Sequence, residues 1–228
     1  MTAGSAQEAA GTTVGTLRRE AARKAIHLTG LALPAIYVVT PRRPAVIILA
    51  ALATTSVAID YVRHRHAPTA SVFNGLFDPV LRVHERDREA RNLTAVSWFF
   101  ISAALSAALF PKYITIASVT MSLPADAASA LVGTAWGRHR FLGKGGKSIE
   151  GSVAFFIAAV LVMIAMPKID GSFGEYLIGA AAALVGTVAE LVSVRRVDDN
   201  LTVPLGMAVC LWALYRWAFP HMDLRFGV

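Results

Sequence analysis

Long apolar stretches constrain the fold of this 228-residue chain more than any other feature of its sequence. Each approaches the ~17–25 residues that a helix needs to cross a bilayer. They cover residues 25–40, 44–62, 94–110, 113–134, 149–166, 176–194 and 201–219. Runs of this length, without the alternation of a membrane β-strand, are typical of helices. We therefore predict an all-α polytopic membrane helical bundle of about seven transmembrane helices.

Composition and charge agree with a membrane protein and suggest its orientation. Hydrophobic residues make up 55% of the chain, and charged residues only 16%. Lysines and arginines concentrate in the segments that would share one side with the N-terminus, which predicts a cytoplasmic N-terminus. The net charge of +7 needs no nucleic-acid partner, because cytoplasmic flanks of membrane helices are basic. The expected location is the cytoplasmic membrane of a prokaryote, with the lipid bilayer as a partner.

The expected domain organisation is simple. Residues 18–220 are predicted to form a single integral-membrane domain. Polar residues 1–17 are expected to form a flexible tail, and residues 221–228 a short C-terminal tail. The segment 70–91 has apolar residues at helical spacing followed by charges, which indicates either an interfacial helix or a partly ordered loop.

Three ionisable residues that lie inside predicted spans, rather than at the very ends of them or in the last span, are candidates for function. An ionisable group in the hydrocarbon costs ~2.5–3.5 kcal/mol even on a lenient insertion scale. Asp126 lies well within the fourth span, Glu190 lies near the end of the sixth, and His27 lies just inside the first. Glu190 could instead pair with Arg195 or a neighbouring helix, and His27 could be hydrogen-bonded between helices. Asp126 is the strongest candidate.

The segment GKGGKSIEGS, residues 143–152, resembles a phosphate-binding loop in composition. It fails the Walker A pattern, because Phe141 stands where the first glycine is required. In and just after the preceding span, Ser129, Gly133 and Gly137 share a helical face with Asp126, and such small residues let a helix or a ligand approach. Facing the cytoplasm, the loop could still bind phosphate.

This combination suits phosphoryl transfer to a membrane-embedded alcohol. Carboxylates can hold the Mg²⁺ of a nucleotide, while basic side chains and backbone N–H groups neutralise its phosphates. A cytosolic nucleotide and a lipid hydroxyl at headgroup depth would meet without either leaving its own phase.

Three blocks of the chain, in order, resemble the CTP-dependent lipid kinases, the family of dolichol, phytol and farnesol kinases and the yeast-type diacylglycerol kinase. The blocks are RREAARKAIHLTG (18–30), LPADAASALVGTAWGRHRFLGKGGKSIEGSVAFF (123–156) and ELVSVRRVDDNLTVPL (190–205). One departure is Ala125, where the family usually has glycine before the aspartate. The resemblance implies an integral-membrane kinase that uses CTP and Mg²⁺ to phosphorylate a polyprenol, a shorter isoprenoid alcohol or diacylglycerol.

The resemblance also implies roles for individual residues. Metal binding would fall to Asp126, Asp198 and Asp199. Nucleotide binding would involve Lys147, Ser148, Glu150, Gly151, Arg23, Lys24, Arg138 and Asn200, with Lys144 a weaker candidate. Asp126, Glu190 and His27 each remain candidates for the general base.

Two other functions compete with this interpretation. A phosphatidate cytidylyltransferase shares the block around Asp126 and also uses CTP, but its C-terminal Lys-Asp and His-Gly-Gly-x-x-Asp-Arg elements are absent from the sequence. A small transporter is the non-enzymatic alternative, because intramembrane charges also mark transport pathways. It ranks third, because the acidic residues crowd one side of the predicted bundle rather than its midplane.

Overall fold

The computed structural model describes residues 3–77, 81, 92–141, 147–192 and 198–224, with side chains from residue 15 onward. Helices account for nearly all regular structure in these ranges. They are α1 (Ala3–Leu28), α2 (Ala32–Val39), α3 (Arg42–Arg65), α4 (Ala67–Phe77), α5 (Ala95–Leu109), α6 (Lys112–Trp136), α7 (Ile149–Ala165), α8 (Phe173–Val192) and α9 (Asp199–Ala218). A 3₁₀ turn, Thr29–Leu31, connects α1 to α2.

The predicted fold class is confirmed: the protein is a helical membrane bundle. Within the described ranges, α3, α6, α8 and α9 are long and apolar enough to cross a membrane, and α5 and α7 are shorter apolar helices. The first predicted span, 25–40, is divided between the end of α1, the 3₁₀ turn and α2. Helix α1 begins at Ala3, within the segment that was expected to be a tail. Seven spans and a cytoplasmic N-terminus remain predictions.

Helix α6 lies at the centre of the bundle and is surrounded by α1, α2, α5, α7 and α9. Most of its length is buried, which explains how polar groups can occur along it without facing lipid. One apolar cluster fills the space between α6, α7, α8 and α9, and a second joins α2, α3 and α5. The outward faces carry exposed isoleucine, leucine and valine side chains, as expected of surfaces that face lipid.

Small residues allow α6 and the start of α7 to approach each other closely. A Cβ added at Gly137 would lie 2.8 Å from the Ser148 hydroxyl oxygen, and one at Gly151 would lie 2.9 Å from the backbone oxygen of Ser129. The small residues predicted to share a face of α6 therefore accommodate another helix at Gly133, Gly137 and Ser129. This packing sets the position of the segment that leads into α7.

Polar caps determine where several helices begin. Ser148 caps α7 by accepting a hydrogen bond from the Gly151 N–H, and Asp198 caps α9 by accepting one from the Asn200 N–H. The end of α6, the start of α7, the end of α8 and the start of α9 all lie at one end of the bundle. We call this the capped end.

A buried polar cluster fixes α3 to the start of α5. The Asp60 carboxylate accepts hydrogen bonds from the Arg63 guanidinium, from both the backbone N–H and the hydroxyl of Thr94, and from the Ser97 hydroxyl. Asp60 and Arg63 are each 1% exposed, so this pair is structural. Helix α4 forms the first part of the segment predicted to be interfacial, whereas residues 78–80 and 82–91 lie outside the described residues.

Candidate active site

Asp126 lies beside two basic side chains of α1. Its carboxylate accepts a hydrogen bond from the buried Lys24 ammonium, and its Oδ2 atom lies 3.2 Å from Nε2 of His27. Lys24 and His27 occupy nearly the same face of α1 because they are three residues apart. Two of the predicted intramembrane groups, His27 and Asp126, are therefore brought together.

A second cluster centres on Lys147. Its ammonium donates hydrogen bonds to Oε1 of Glu190, at 2.7 Å, and to Oδ2 of Asp199, at 2.9 Å. The Ser129 hydroxyl also donates to Oε1 of Glu190, at 3.0 Å. Burial alone would lower the pKa of Lys147, but the carboxylates of Asp199 and Glu190 outweigh burial and hold this pKa above its usual value. Lys147 is therefore a cation at neutral pH, and it joins the ends of three helices.

One narrow pocket lies next to both clusters. It is lined by residues of four helices, α1, α5, α6 and α9, namely His27, Phe99, Ser122, Leu123, Asp126, Asp199, Asn200, Val203 and Pro204. Asp126 and Asp199 thus lie on the same pocket, and each holds an ammonium of its own, Lys24 or Lys147. Two carboxylates and their two ammonium partners therefore lie at one pocket, which residues of four helices line.

Pro124 and Pro204 lie inside the helices that form this pocket. A proline within a helix removes one backbone hydrogen bond and bends the axis. In a membrane, such interruptions are tolerated where neighbouring protein or a cavity can satisfy the freed groups. Both interruptions occur close to the pocket, Pro124 two residues before Asp126 and Pro204 in the lining itself.

The predicted phosphate-binding loop is described only from Lys147 onward, because residues 142–146, including Lys144, lie outside the described residues. Ser148 and Gly151 meet in the cap of α7, where the Gly151 N–H donates to the Ser148 hydroxyl oxygen at 3.1 Å. Glu150 accepts hydrogen bonds from the backbone N–H and the imidazole of His139. Of these residues, Lys147 contacts the carboxylates of Glu190 and Asp199.

The other predicted basic residues occupy less central positions. Arg23 forms an ion pair with Glu20, one turn before it on α1. Arg138 is exposed after the end of α6. Arg195, the alternative partner considered for Glu190, lies outside the described residues, and Glu190 pairs with Lys147 instead.

The start of α9 contributes three neighbouring polar residues with different environments. Asp198 caps the helix, and its Oδ1 atom accepts from the Asn200 backbone at 2.9 Å. Asp199 and Asn200 line the pocket. The two neighbouring aspartates therefore differ in position: Asp199 faces the pocket, and Asp198 holds the helix terminus.

The residues of this site suit Mg²⁺ bound together with phosphate oxygens. Mg²⁺ prefers oxygen ligands and is commonly held by one or two carboxylates plus the phosphates of a substrate. Asp126, Asp199 and the Asn200 amide supply such oxygens on one pocket. Among the described residues, no group of three or more Asp, Glu, His or Cys side chains could hold a metal ion. Two carboxylates and one amide oxygen could supply part of a Mg²⁺ coordination shell, and phosphate oxygens could complete it.

Sequence reasoning missed several residues of the pocket. Phe99 and Leu123 sit within apolar stretches, and nothing in their sequence context separates them from lipid-facing neighbours. Pro204 could have been noticed, because proline inside a predicted span indicates an interrupted helix.

Comparisons with known proteins relate the chain to lipid kinases. It is 28% identical to an uncharacterized protein of Rickettsia prowazekii over 204 residues, covering 89% of this chain and 96% of that protein. It is 39% identical to phytol kinase of Synechocystis sp. over 95 residues, covering 40% of this chain and 41% of that kinase. It is 23% identical to CTP-dependent diacylglycerol kinase 1 of Schizosaccharomyces pombe over 165 residues, covering 68% and 74%.

Two of these relatives have names of lipid kinases, so this membrane protein is a distant relative of lipid kinases. The alignment with phytol kinase spans less than half of either protein, whereas the alignment with the Rickettsia protein spans almost the whole of both. No family model matches the chain, and no solved structure is significantly similar to it.

Proposed function

We propose that the protein is an integral-membrane lipid kinase that transfers the γ-phosphate of CTP to the hydroxyl of a membrane lipid alcohol. The observation that carries this proposal is the pocket at which Asp126 and Asp199 lie together, each beside a lysine ammonium. Phosphoryl transfer needs carboxylates for the metal and cations for the phosphates, and little covalent chemistry from the protein. The similarity to phytol kinase and to a CTP-dependent diacylglycerol kinase supports the acceptor class and the donor.

In this proposal Asp126, Asp199 and Asn200 hold the Mg²⁺ of the nucleotide. When bound, Mg²⁺ would neutralise charge on the phosphate oxygens. Lys24 and His27 on one side and Lys147 on the other fix the two carboxylates in place before the nucleotide arrives. Asp198 supports this arrangement by holding the start of α9, and a direct contact of Asp198 with metal stays a prediction.

The nucleotide phosphates bind at the capped end, near Lys147 and the start of α7. The N-terminus of a helix attracts anions because its first N–H groups and its dipole point toward them. Ser148 and Gly151 shape this terminus, and Lys147 supplies the charge that phosphate oxygens need. Arg23, Arg138 and Glu150 are assigned to the periphery of the nucleotide site, and Arg138 is exposed there.

The alcohol oxygen attacks the γ-phosphorus, the bond to the β-phosphate oxygen breaks, and CDP leaves. The proton of the alcohol must go to a base within hydrogen-bond reach. His27 and Asp126 both line the pocket, and Glu190 does not. We assign the proton to His27, because Asp126 is engaged by Lys24 and by the metal in this scheme. Glu190 positions Lys147, through their 2.7 Å hydrogen bond.

A transfer assay tests the proposal directly. The full-length protein, purified in detergent with Mg²⁺, is given CTP labelled on the γ-phosphate together with isoprenoid alcohols and diacylglycerol. We expect label in a lipid product with the wild type and none with Asp126→Asn. The matched control is Asp170→Asn, because Asp170 is an exposed acid between α7 and α8, at the end of the bundle opposite the capped end.

The same assay separates the competing functions. Absence of labelled lipid, together with release of labelled pyrophosphate when phosphatidate is supplied, would favour cytidylyl transfer. Labelled lipid formed equally by the wild type and Asp126→Asn would remove Asp126 from the reaction. No reaction under either condition would contradict both enzymatic functions.

A further inference from the structure

An apolar groove runs along the bundle between α2, α3 and α5. Its volume is about 340 Å³, within the ~300–1,000 Å³ typical of sites for small organic molecules. The groove lining is mostly aliphatic and aromatic, and comprises Thr29, Gly30, Ala32, Leu33, Ile36, Tyr37, Thr40, Ala45, Ile48, Leu49, Leu52, Phe99 and Phe100. We call it the α2–α3 groove.

The α2–α3 groove adjoins the polar pocket of the candidate active site. Phe99 lines both cavities, so its ring forms part of the wall between them. The Phe99 and His27 rings meet edge to face, with centroids 6.3 Å apart. At Gly30 an added Cβ would lie 3.3 Å from Phe99 and 3.4 Å from Leu123. The wall is thus thin, and it lies next to His27, which we assign as the acceptor of the alcohol's proton.

We propose that the α2–α3 groove binds the hydrocarbon chain of a single-chain lipid alcohol and thereby presents its hydroxyl to His27 and Asp126. The proposal rests on the proposed kinase function and deepens it by locating the acceptor. Phe99 is then a positioning residue, placed between the first carbons of the chain and the polar pocket.

The length of the groove fits the part of a chain nearest its hydroxyl. From Thr29 to Thr40 the backbone is almost continuously helical, and at ~1.5 Å per residue this distance is roughly 16 Å. That is about half of the ~30 Å hydrocarbon thickness of a bilayer. A longer chain would continue from the groove into the surrounding lipid.

The groove supplies orientation more than binding energy. A lipid chain that moves from the bilayer into the groove exchanges one apolar environment for another, so burial from water does not drive the transfer. The groove instead holds the hydroxyl close to the reacting phosphate, and such positioning accelerates a reaction. Blocking the groove should therefore affect the reaction with the lipid and not the binding of nucleotide.

Two adjacent isoleucines of α3 provide a matched test. Ile48 lines the groove and is 54% exposed, whereas Ile47 is 69% exposed and does not line it. Neighbouring helical residues point about 100° apart, so Ile47→Trp and Ile48→Trp add the same bulk to different surfaces. Both variants are compared with the wild type for γ-phosphate transfer to a single-chain isoprenoid alcohol and to diacylglycerol.

We expect Ile48→Trp to lower kcat/KM for the isoprenoid alcohol by about ten-fold, while KM for CTP is unchanged. Ten-fold corresponds to ~1.4 kcal/mol, and the reason for the loss is that the indole occupies part of the space that the lipid chain would fill. Ile47→Trp should react like the wild type. Equal melting temperatures of the two variants in detergent would show that both remain folded.

The other possible results of this assay each contradict one part of the proposal. Equal kcat/KM values for Ile47→Trp and Ile48→Trp would overturn the groove while leaving the kinase function intact. Transfer to diacylglycerol alone would overturn the single-chain acceptor. No transfer by the wild type would overturn the proposed function, and the groove proposal with it.

A second experiment locates the chain without relying on turnover. A long-chain alcohol with a photoreactive group on its chain is irradiated with the wild-type protein, and the labelled peptides are identified. We expect labelling within residues 29–52 that an excess of unlabelled alcohol prevents and that Ile48→Trp reduces. Labelling spread evenly over the lipid-facing helices, without competition, would overturn the proposal.

Discussion

Lys147→Met is expected to destabilise the protein substantially, because it leaves a buried carboxylate without its cation. Glu190 is 2% exposed, and its Oε2 atom has no hydrogen-bond partner among the described residues. Breaking a buried ion pair by removing one partner costs ~3–5 kcal/mol. Lys147 is itself 35% exposed, so solvent screening reduces this figure to about 2–4 kcal/mol. For a chain of this size the melting temperature would fall by roughly 4–16 °C.

A double-mutant cycle tests the reason for this loss. In Lys147→Met/Glu190→Gln the uncompensated charge of Glu190 is gone, so the double variant should regain at least ~1 kcal/mol relative to the sum of the single changes, although Asp199 has also lost Lys147. Thermal unfolding in one detergent at fixed protein concentration provides the measurement. The control is Arg43→Met, an exposed cation far from the site in sequence. A melting temperature that falls equally in Lys147→Met and Arg43→Met, or additivity in the cycle, would refute the reasoning.

The pH dependence of this effect follows from the raised pKa of Lys147. A lysine whose folded pKa is raised stabilises the protein fully below its unfolded pKa, and this contribution is lost only as pH rises through the folded value. Since the folded pKa lies above the usual 10.5, the difference in melting temperature between wild type and Lys147→Met should stay constant between about pH 7 and 9. A difference that shrinks over this range would contradict the assignment of Lys147 as a cation.

Three further predictions concern packing, the polar cluster and the metal. Gly151→Ala should lower stability by about 1–3 kcal/mol, because its Cβ would lie 2.9 Å from the Ser129 backbone oxygen, whereas Gly75→Ala in α4 meets open space and should be neutral or stabilising in the same thermal assay. Asp60→Leu should lower stability by about 3–5 kcal/mol, because it leaves the buried Arg63 without its carboxylate, and a loss no larger than that of an exposed Asp170→Leu would contradict this role. Chelation of Mg²⁺ should abolish phosphate transfer without lowering the melting temperature, and a parallel fall in both would instead indicate a structural metal.

Much of the fold follows directly from the sequence. The apolar stretches from 44–62 onward each coincide with a helix, because a chain in hydrocarbon must satisfy its backbone hydrogen bonds within each segment. Ser148 and Asp198 precede helices in the way that N-cap residues do. The first predicted span was the shortest, and there a 3₁₀ turn separates α1 from α2. Apolar composition alone cannot distinguish this arrangement from a continuous helix.

The candidate site was only partly accessible from the sequence. Asp126, Glu190 and His27 were recognised because ionisable groups inside apolar stretches are costly unless they are paired. Lys147 was named only through the resemblance to the lipid kinases. The sequence did not predict which of the named residues pair, since Lys24 lies about a hundred residues from Asp126 and Lys147 about fifty from Asp199. Phe99 was missed because one phenylalanine in an apolar helix has the same sequence signature whether it faces lipid or separates two cavities.

The sequence by itself determined that this chain is a helical membrane protein and where most of its helices lie. It also identified the few ionisable residues within those helices. Those properties depend on local composition, because the bilayer acts on each segment separately. Only the tertiary structure decided which charges meet and that an apolar groove adjoins them beside Phe99. Such relations depend on how helices pack side by side, and packing is set by small residues such as Gly133 and Gly151 acting across distant parts of the chain.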